Sequence, residues 1–305
     1  MGTDVRWSKF GIYSGPAVKG TCLYVPPENP TGFDVIAAAT ARPEGGSFDI
    51  VNMYDGTAVT YGLFQWTFTS GRLHKLLAET CRCMGLARYY NEFGCPLIAL
   101  TRLTVDDEDL YLDGKRVTDF FKLRNVCTPL GGKVPRVGKY WDQSKKIALL
   151  FSKLGEDPIA QKVQMDFFRN ELKKEAGLKR PKLGGDRISE YLPTCGWDTP
   201  VEGGDCILVA AQALFWSAWQ NAPRQAERCL FRALHGFEMP LNSPAGLVRF
   251  ARKIGLSNFG RWGVVKARNA VGSDGKPKPY TSRYEKMAIE INKVMNCGIL
   301  PALWT

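Results

Sequence analysis

The chain has 305 residues and a formal net charge of +11, from 41 Lys and Arg against 30 Asp and Glu. Its composition, 45% hydrophobic, 11% aromatic and 23% charged, is that of a globular protein and excludes a disordered or fibrous chain. The long apolar run at 206–219 contains Gln212 and Ser217 and is too short to cross a bilayer, so it predicts a buried core helix and no membrane span.

The excess of positive charge favours polyanionic partners: nucleic acid, anionic lipid or the polymers of a bacterial envelope. The N-terminus, MGTDVRWSKFGIYSG, lacks the apolar stretch of a secretory signal, which predicts synthesis in the cytoplasm. The nine cysteines have no regular spacing and form no C-x-x-C pair, so reduced core thiols are expected rather than a disulfide framework. With His74 and His235 as the only histidines, a His-rich metal centre is excluded and no cofactor is expected.

The first thirty residues, rich in Gly, Pro and aromatics, predict an extended arm (1–30). Residues 32–42 carry helical apolar spacing through Phe33, Ile36 and Ala37, and Pro43 ends the helix. From 47 to 60 the pattern becomes strand-like, with Asp55-Gly56 as a hairpin turn. A helix follows over 70–87, with Leu73, Leu76, Leu77 and Cys81 on one face. A second hairpin over 108–118 turns at Asp113-Gly114. Asp106-Asp107-Glu108-Asp109 lacks the glycine and final glutamate of a calcium loop and predicts a solvated turn. Beyond Tyr140 helices are expected at 141–153, 157–176, 205–220, 223–235, 243–254 and 282–296. The predicted fold is α+β and mainly helical, with a small β-hairpin element.

Hydrolysing a glycosidic bond takes one carboxylic acid to protonate the leaving oxygen and, in most enzymes, a second carboxylate to activate water or attack carbon. The two need different surroundings, one desolvated and one wet. Glu44, after an apolar helix, and Asp55, on a polar turn, meet that requirement within one short segment. Glu44 ends a helix, a hairpin follows, and Thr60-Tyr61-Gly62-Leu63-Phe64-Gln65-Trp66 comes next. This order resembles the lysozyme superfamily: goose-type lysozyme, the soluble lytic transglycosylases and above all the family 46 chitosanases. The stretch from Tyr54 through Gly62 to Ser70-Gly71 is the part most similar to chitosanases. The resemblance covers 40–80; the interval from Glu44 to Asp55 is shorter than in chitosanases, and Thr67 stands where goose-type enzymes can carry an acid.

The resemblance implies a two-lobed, lysozyme-like fold with the hairpin beside a cleft. It assigns a core over 31–135 and a helical lobe over 136–305 that completes the cleft. It makes Glu44 the acid, Asp55 the base and Thr60 a residue that holds the attacking water. Asp49, Asn52, Tyr61, Gln65 and Trp66 would contact the sugar. Several have a plainer reading: Glu44 as a solvent-facing residue at a helix end, Asp49 and Asp55 as turn residues, Gln65 as partner of a buried backbone group, Tyr61 and Trp66 as core. The expected substrate is peptidoglycan or a related polysaccharide, reached after release or injection from the producing cell. A chitosanase is the alternative, though a chain of charge +11 repels a polycation. A basic structural or nucleic-acid-binding protein on the same fold is the alternative from another class. No phosphate loop and no G-x-S-x-G elbow occurs.

Overall fold

The computed structural model describes residues 4–107, 109–201, 206–221, 223–236, 290, 291 and 293–295. These residues form an α+β protein, mostly helical, with two small antiparallel sheets. They divide into two compact units, one from Met1–Tyr24 and Glu44–Phe168, the other from the described parts of Val25–Pro43 and Arg169–Thr305. The expected helices at 243–254 and most of 282–296 lie outside the described residues.

The first unit holds both sheets. In the larger one the strands β1 (Val5–Phe10), β2 (Tyr13–Val18), β3 (Val51–Asn52), β4 (Thr60–Tyr61) and β5 (Trp66–Thr67) lie in sequence order, each antiparallel to the next. Residues 5–18 of the segment expected as an extended arm are therefore a hairpin that joins the sheet. Its two-residue turn places Gly11 at φ 59, a value glycine adopts without strain. The second sheet comprises β6 (Leu103–Asp106), β7 (Asp109–Leu112) and β8 (Lys115–Arg116). Its last turn is the Asp113-Gly114 turn read from sequence, with both residues at positive φ. In the acidic run Asp106 and Asp109 pair across β6 and β7, and Asp107 sits at φ 48.

Helices pack on the larger sheet through aromatic rings. Phe151, on the helix Lys139–Glu156, contacts Tyr61, Phe68 and Phe93, and Phe168 stacks on Phe64 with ring centroids 3.8 Å apart. The helix Leu73–Met84 buries Leu73, Leu76 and Leu77 as its spacing predicts, and ends at Gly85, φ 83. His74 is buried and stacked on Phe120, a structural residue.

In the second unit the helix Gly32–Ala41 is buried on nearly every face, since it is built largely from alanine and small apolar residues. A capping box starts it: the Asp34 N–H donates to the Thr31 hydroxyl, and the Thr31 N–H donates to the Asp34 carboxylate. The apolar run read from sequence forms the core helix Cys206–Asn221, with Leu214, Phe215 and Trp216 fully buried. No helix among the described residues is long and apolar enough to cross a membrane. Six described cysteines are free thiols. Only Cys127 and Cys206 of these are buried, whereas Cys83 and Cys95 are exposed, so the core role expected for most of the thiols fits a minority.

One buried side chain joins the sheet to its helices. Gln164 is 1% exposed; its Oε1 accepts from the Leu63 N–H at 2.8 Å, and its Nε2 donates to the Phe48 carbonyl at 3.0 Å and the Tyr61 hydroxyl at 3.1 Å. Gly62 passes so close that a Cβ there would stand 2.4 Å from Gln164 Oε1. Replacing Gln164 by Leu strands three buried polar groups, and each costs about 1–3 kcal/mol. Gln164→Leu is expected to lower stability by roughly 3 kcal/mol in urea denaturation with an unchanged slope. A loss below about 0.5 kcal/mol contradicts this role.

Candidate active site

Glu44 is the last residue of a single 3-10 turn, Arg42–Glu44, that follows directly on the helix Gly32–Ala41. It is half-buried. Gly45 and Gly46, at φ 105 and 67, then turn the chain sharply toward β3. The Phe48 N–H donates to the Cys22 carbonyl and the Tyr24 N–H to the Gly46 carbonyl, which stitches the segment after Glu44 to residues 22–24.

Asp49 lies beneath this turn with no exposure. Its carboxylate accepts from the Thr21 and Cys22 N–H groups at 2.9 Å and from the Ser47 hydroxyl. A carboxylate so committed fastens the fold, and it presents no surface to a ligand. Tyr61 and Trp66 are each 1% exposed and face the core: Tyr61 takes the Gln164 amide and packs on Phe151, while Trp66 packs on Phe64 and Phe167. Burial holds the Tyr61 phenol protonated far above its ordinary range. These three residues, expected at the sugar, are interior ones.

Of the remaining expected residues, Asn52, Asp55 and Thr60 lie on the hairpin formed by β3 and β4, and Gln65 lies in the turn from β4 to β5. Val51 pairs with Tyr61 and Asn52 with Thr60, and the loop between them carries Asp55-Gly56. Asp55 is half-buried in a cradle of donors. Its Oδ1 accepts from the Thr57 N–H at 3.1 Å and the Thr57 hydroxyl at 2.6 Å, and its Oδ2 accepts from the Thr60 hydroxyl at 2.6 Å. Asn52 and Gln65, both half-buried, join across the strands: Asn52 Nδ2 donates to Gln65 Oε1 at 2.7 Å, and Gln65 Nε2 donates to the Gly62 carbonyl at 2.9 Å.

Four residues at the site escaped the sequence reading. Thr57 follows the Asp-Gly turn directly, and a hydroxyl there is the local signal for a bond back to the aspartate. Tyr54 stands next to Asp55. Arg124 and Tyr13 come from distant parts of the chain and carry no sequence signal. The Arg124 guanidinium stacks on the Tyr13 ring at 4.5 Å, and its Nε donates to the Gly56 carbonyl at 2.7 Å. Tyr13 lies against Gly56 so closely that a Cβ would meet the ring at 2.7 Å. The Asp55 turn is thus clamped from outside its own hairpin.

Burial raises the Tyr54 phenol above the ordinary value, and the charges of Asp55 and then Glu44 raise it further. Two cavities of about 240 Å³ and 330 Å³ in the same unit lie elsewhere, one floored by Phe93 and Leu154, the other beside Leu112 and Lys122. No cluster of three or more metal-binding side chains occurs among the described residues. Compared with family models, curated proteins and solved structures, the chain finds no match.

If both carboxylates bear on Tyr54, neutralising either one must move its phenol down toward the ordinary value. An absorbance titration, with Tyr54→Phe to identify the step, is expected to show Glu44→Gln and Asp55→Asn each lowering the Tyr54 titration. An unchanged midpoint in Glu44→Gln places that carboxylate away from the hairpin.

Proposed function

We propose that this chain is a glycoside hydrolase that cuts the glycan strands of bacterial peptidoglycan, with Glu44 as general acid and Asp55 as general base. One observation carries the reading: two half-buried carboxyl groups stand on one short stretch of chain, Glu44 at the end of the 3-10 turn and Asp55 in the loop of the β3–β4 hairpin that follows. Their surroundings differ: Asp55 is held by hydroxyl and N–H donors of its own loop, whereas Glu44 ends a 3-10 turn next to the two glycines that turn the chain.

In the reaction Glu44 protonates the bridging oxygen while Asp55 draws a proton from a water on the opposite face of the sugar. The anomeric carbon is inverted, which calls for carboxyl groups separated by roughly 6.5–9.5 Å. Asn52 on the hairpin and Gln65 in the turn from β4 to β5, both half-buried, are the polar groups suited to the substrate's amides. The lysozyme-like, two-lobed arrangement belongs to the same proposal, as does action at the cell wall after release or injection. The charge of +11 favours this anionic polymer over chitosan, a polycation.

Purified protein is expected to clear a suspension of bacterial walls and release glycan fragments. Glu44→Gln and Asp55→Asn each lower kcat by about 10²–10⁴-fold, the usual share of a general acid or base, and leave the melting temperature near that of the wild type. Undiminished turnover in Glu44→Gln contradicts the assignment. Turnover of chitosan in place of walls moves the substrate to the other branch of the resemblance.

A further inference from the structure

The N-terminal hairpin is fastened near its turn to a second stretch of the first unit, residues 129–138. The Val134 N–H donates to the Ser14 carbonyl at 3.1 Å. The Val134 carbonyl accepts from the Ser14 hydroxyl at 2.9 Å and from the Trp7 indole N–H at 3.0 Å. Gly132 lies against the Tyr13 ring, where a Cβ would meet it at 3.1 Å. These contacts bring the hairpin turn, with Phe10 and Ile12, alongside the stretch that carries Leu130 and Val137. The four apolar side chains are 51–76% exposed. Apolar groups gathered at a surface in this way mark a place that something else covers.

Cations stand among them. Residues 5–19 and 122–146 hold ten Lys and Arg and one acid, Asp142, in a chain whose whole excess is +11. Lys9, Lys133 and Arg136 are exposed and have no carboxylate partner among the described residues. Arg136 instead stacks on the Trp7 ring at 4.5 Å, a contact that orients the guanidinium without cancelling its charge. Unpaired cations around projecting apolar groups complement anionic headgroups lying over acyl chains. A second copy of this chain brings the same cations and is repelled. Single-stranded nucleic acid calls for ring faces on which bases stack, and three of the four projecting groups are aliphatic.

We propose that the turn of the N-terminal hairpin and residues 129–138 together form a docking surface for an anionic phospholipid bilayer. Phe10, Ile12, Leu130 and Val137 enter the boundary between headgroups and acyl chains, while Lys9, Lys133 and Arg136 pair with lipid phosphates. The attachment is peripheral, and no helix among the described residues is long and apolar enough to cross the bilayer. It is independent of the hydrolase reading above.

Flotation of the full chain with vesicles tests the surface. Vesicles of phosphatidylglycerol and phosphatidylcholine are expected to carry the wild type upward, and vesicles of phosphatidylcholine alone to leave it behind. Lys9→Gln combined with Lys133→Gln weakens binding about 30-fold, the share of two cations near an anionic surface. Ile12→Ser combined with Val137→Ser removes apolar groups and no charge, and weakens binding about 10-fold. All four positions are exposed, so both variants keep the wild-type melting temperature. Wild type that floats with neither kind of vesicle overturns the proposal. Binding that the serine variant leaves unchanged overturns it too, because charge alone then holds the chain. Tight binding of a single-stranded oligothymidylate with both vesicles ignored gives the surface to nucleic acid and overturns the lipid assignment.

Discussion

Everything at the candidate site depends on holding a hairpin whose ladder is only two residue pairs long. Strands so short do not persist in water by themselves. They persist here because buried polar side chains complete the bonds that the ladder cannot. Gln164 reaches from the helix Pro158–Gly177 to Phe48, Tyr61 and Leu63, on both sides of the loop, and Asp49 ties the approach to the hairpin to residues 21 and 22. Both groups are fully paired inside a low-dielectric interior, where a satisfied polar network specifies one geometry and a broken one is costly. The glycines fit the same constraint. Gly20 leaves room for Asp49, and Gly62 leaves room for Gln164.

On that rigid base the two acids receive different surroundings. Asp55 is oriented by two threonines of its own loop, and the loop is gripped from outside by Tyr13 and Arg124. Glu44 is oriented by a helix end and a pair of glycines with left-handed backbone. Sequence separation between them is small, so a modest change in the turn moves one acid relative to the other. Groups held by their own packed neighbours are the ones able to keep a catalytic geometry.

Local signals were legible. The Asp55-Gly56 and Asp113-Gly114 turns, the helix that Pro43 and Glu44 terminate, and the apolar periodicity of the helices Leu73–Met84, Lys139–Glu156 and Pro158–Gly177 all follow from chemistry within a few residues. The N-terminal hairpin was not legible as strands, because Gly15 and Pro16 interrupt the alternation that marks a strand. Residue type alone could not sort Asp49, Tyr61 and Trp66 from true surface groups, since an aspartate or a tyrosine suits a cleft or a satisfied interior equally well. Arg124 meets Gly56 across 68 positions and Gln164 meets Leu63 across 101, and contacts of that span leave no trace in spacing. Thr57 was within reach of local reasoning, as the hydroxyl that directly follows an Asp-Gly turn.

The central claim is that a base-directed water attacks the sugar from the face opposite Glu44. Proton NMR of the freshly released reducing end reads this directly, before mutarotation scrambles the anomers. Release of the α anomer from a β-linked glycan is the predicted result. Initial release of the β anomer means that configuration is retained, and it contradicts the assignment of Asp55 as a base acting through water.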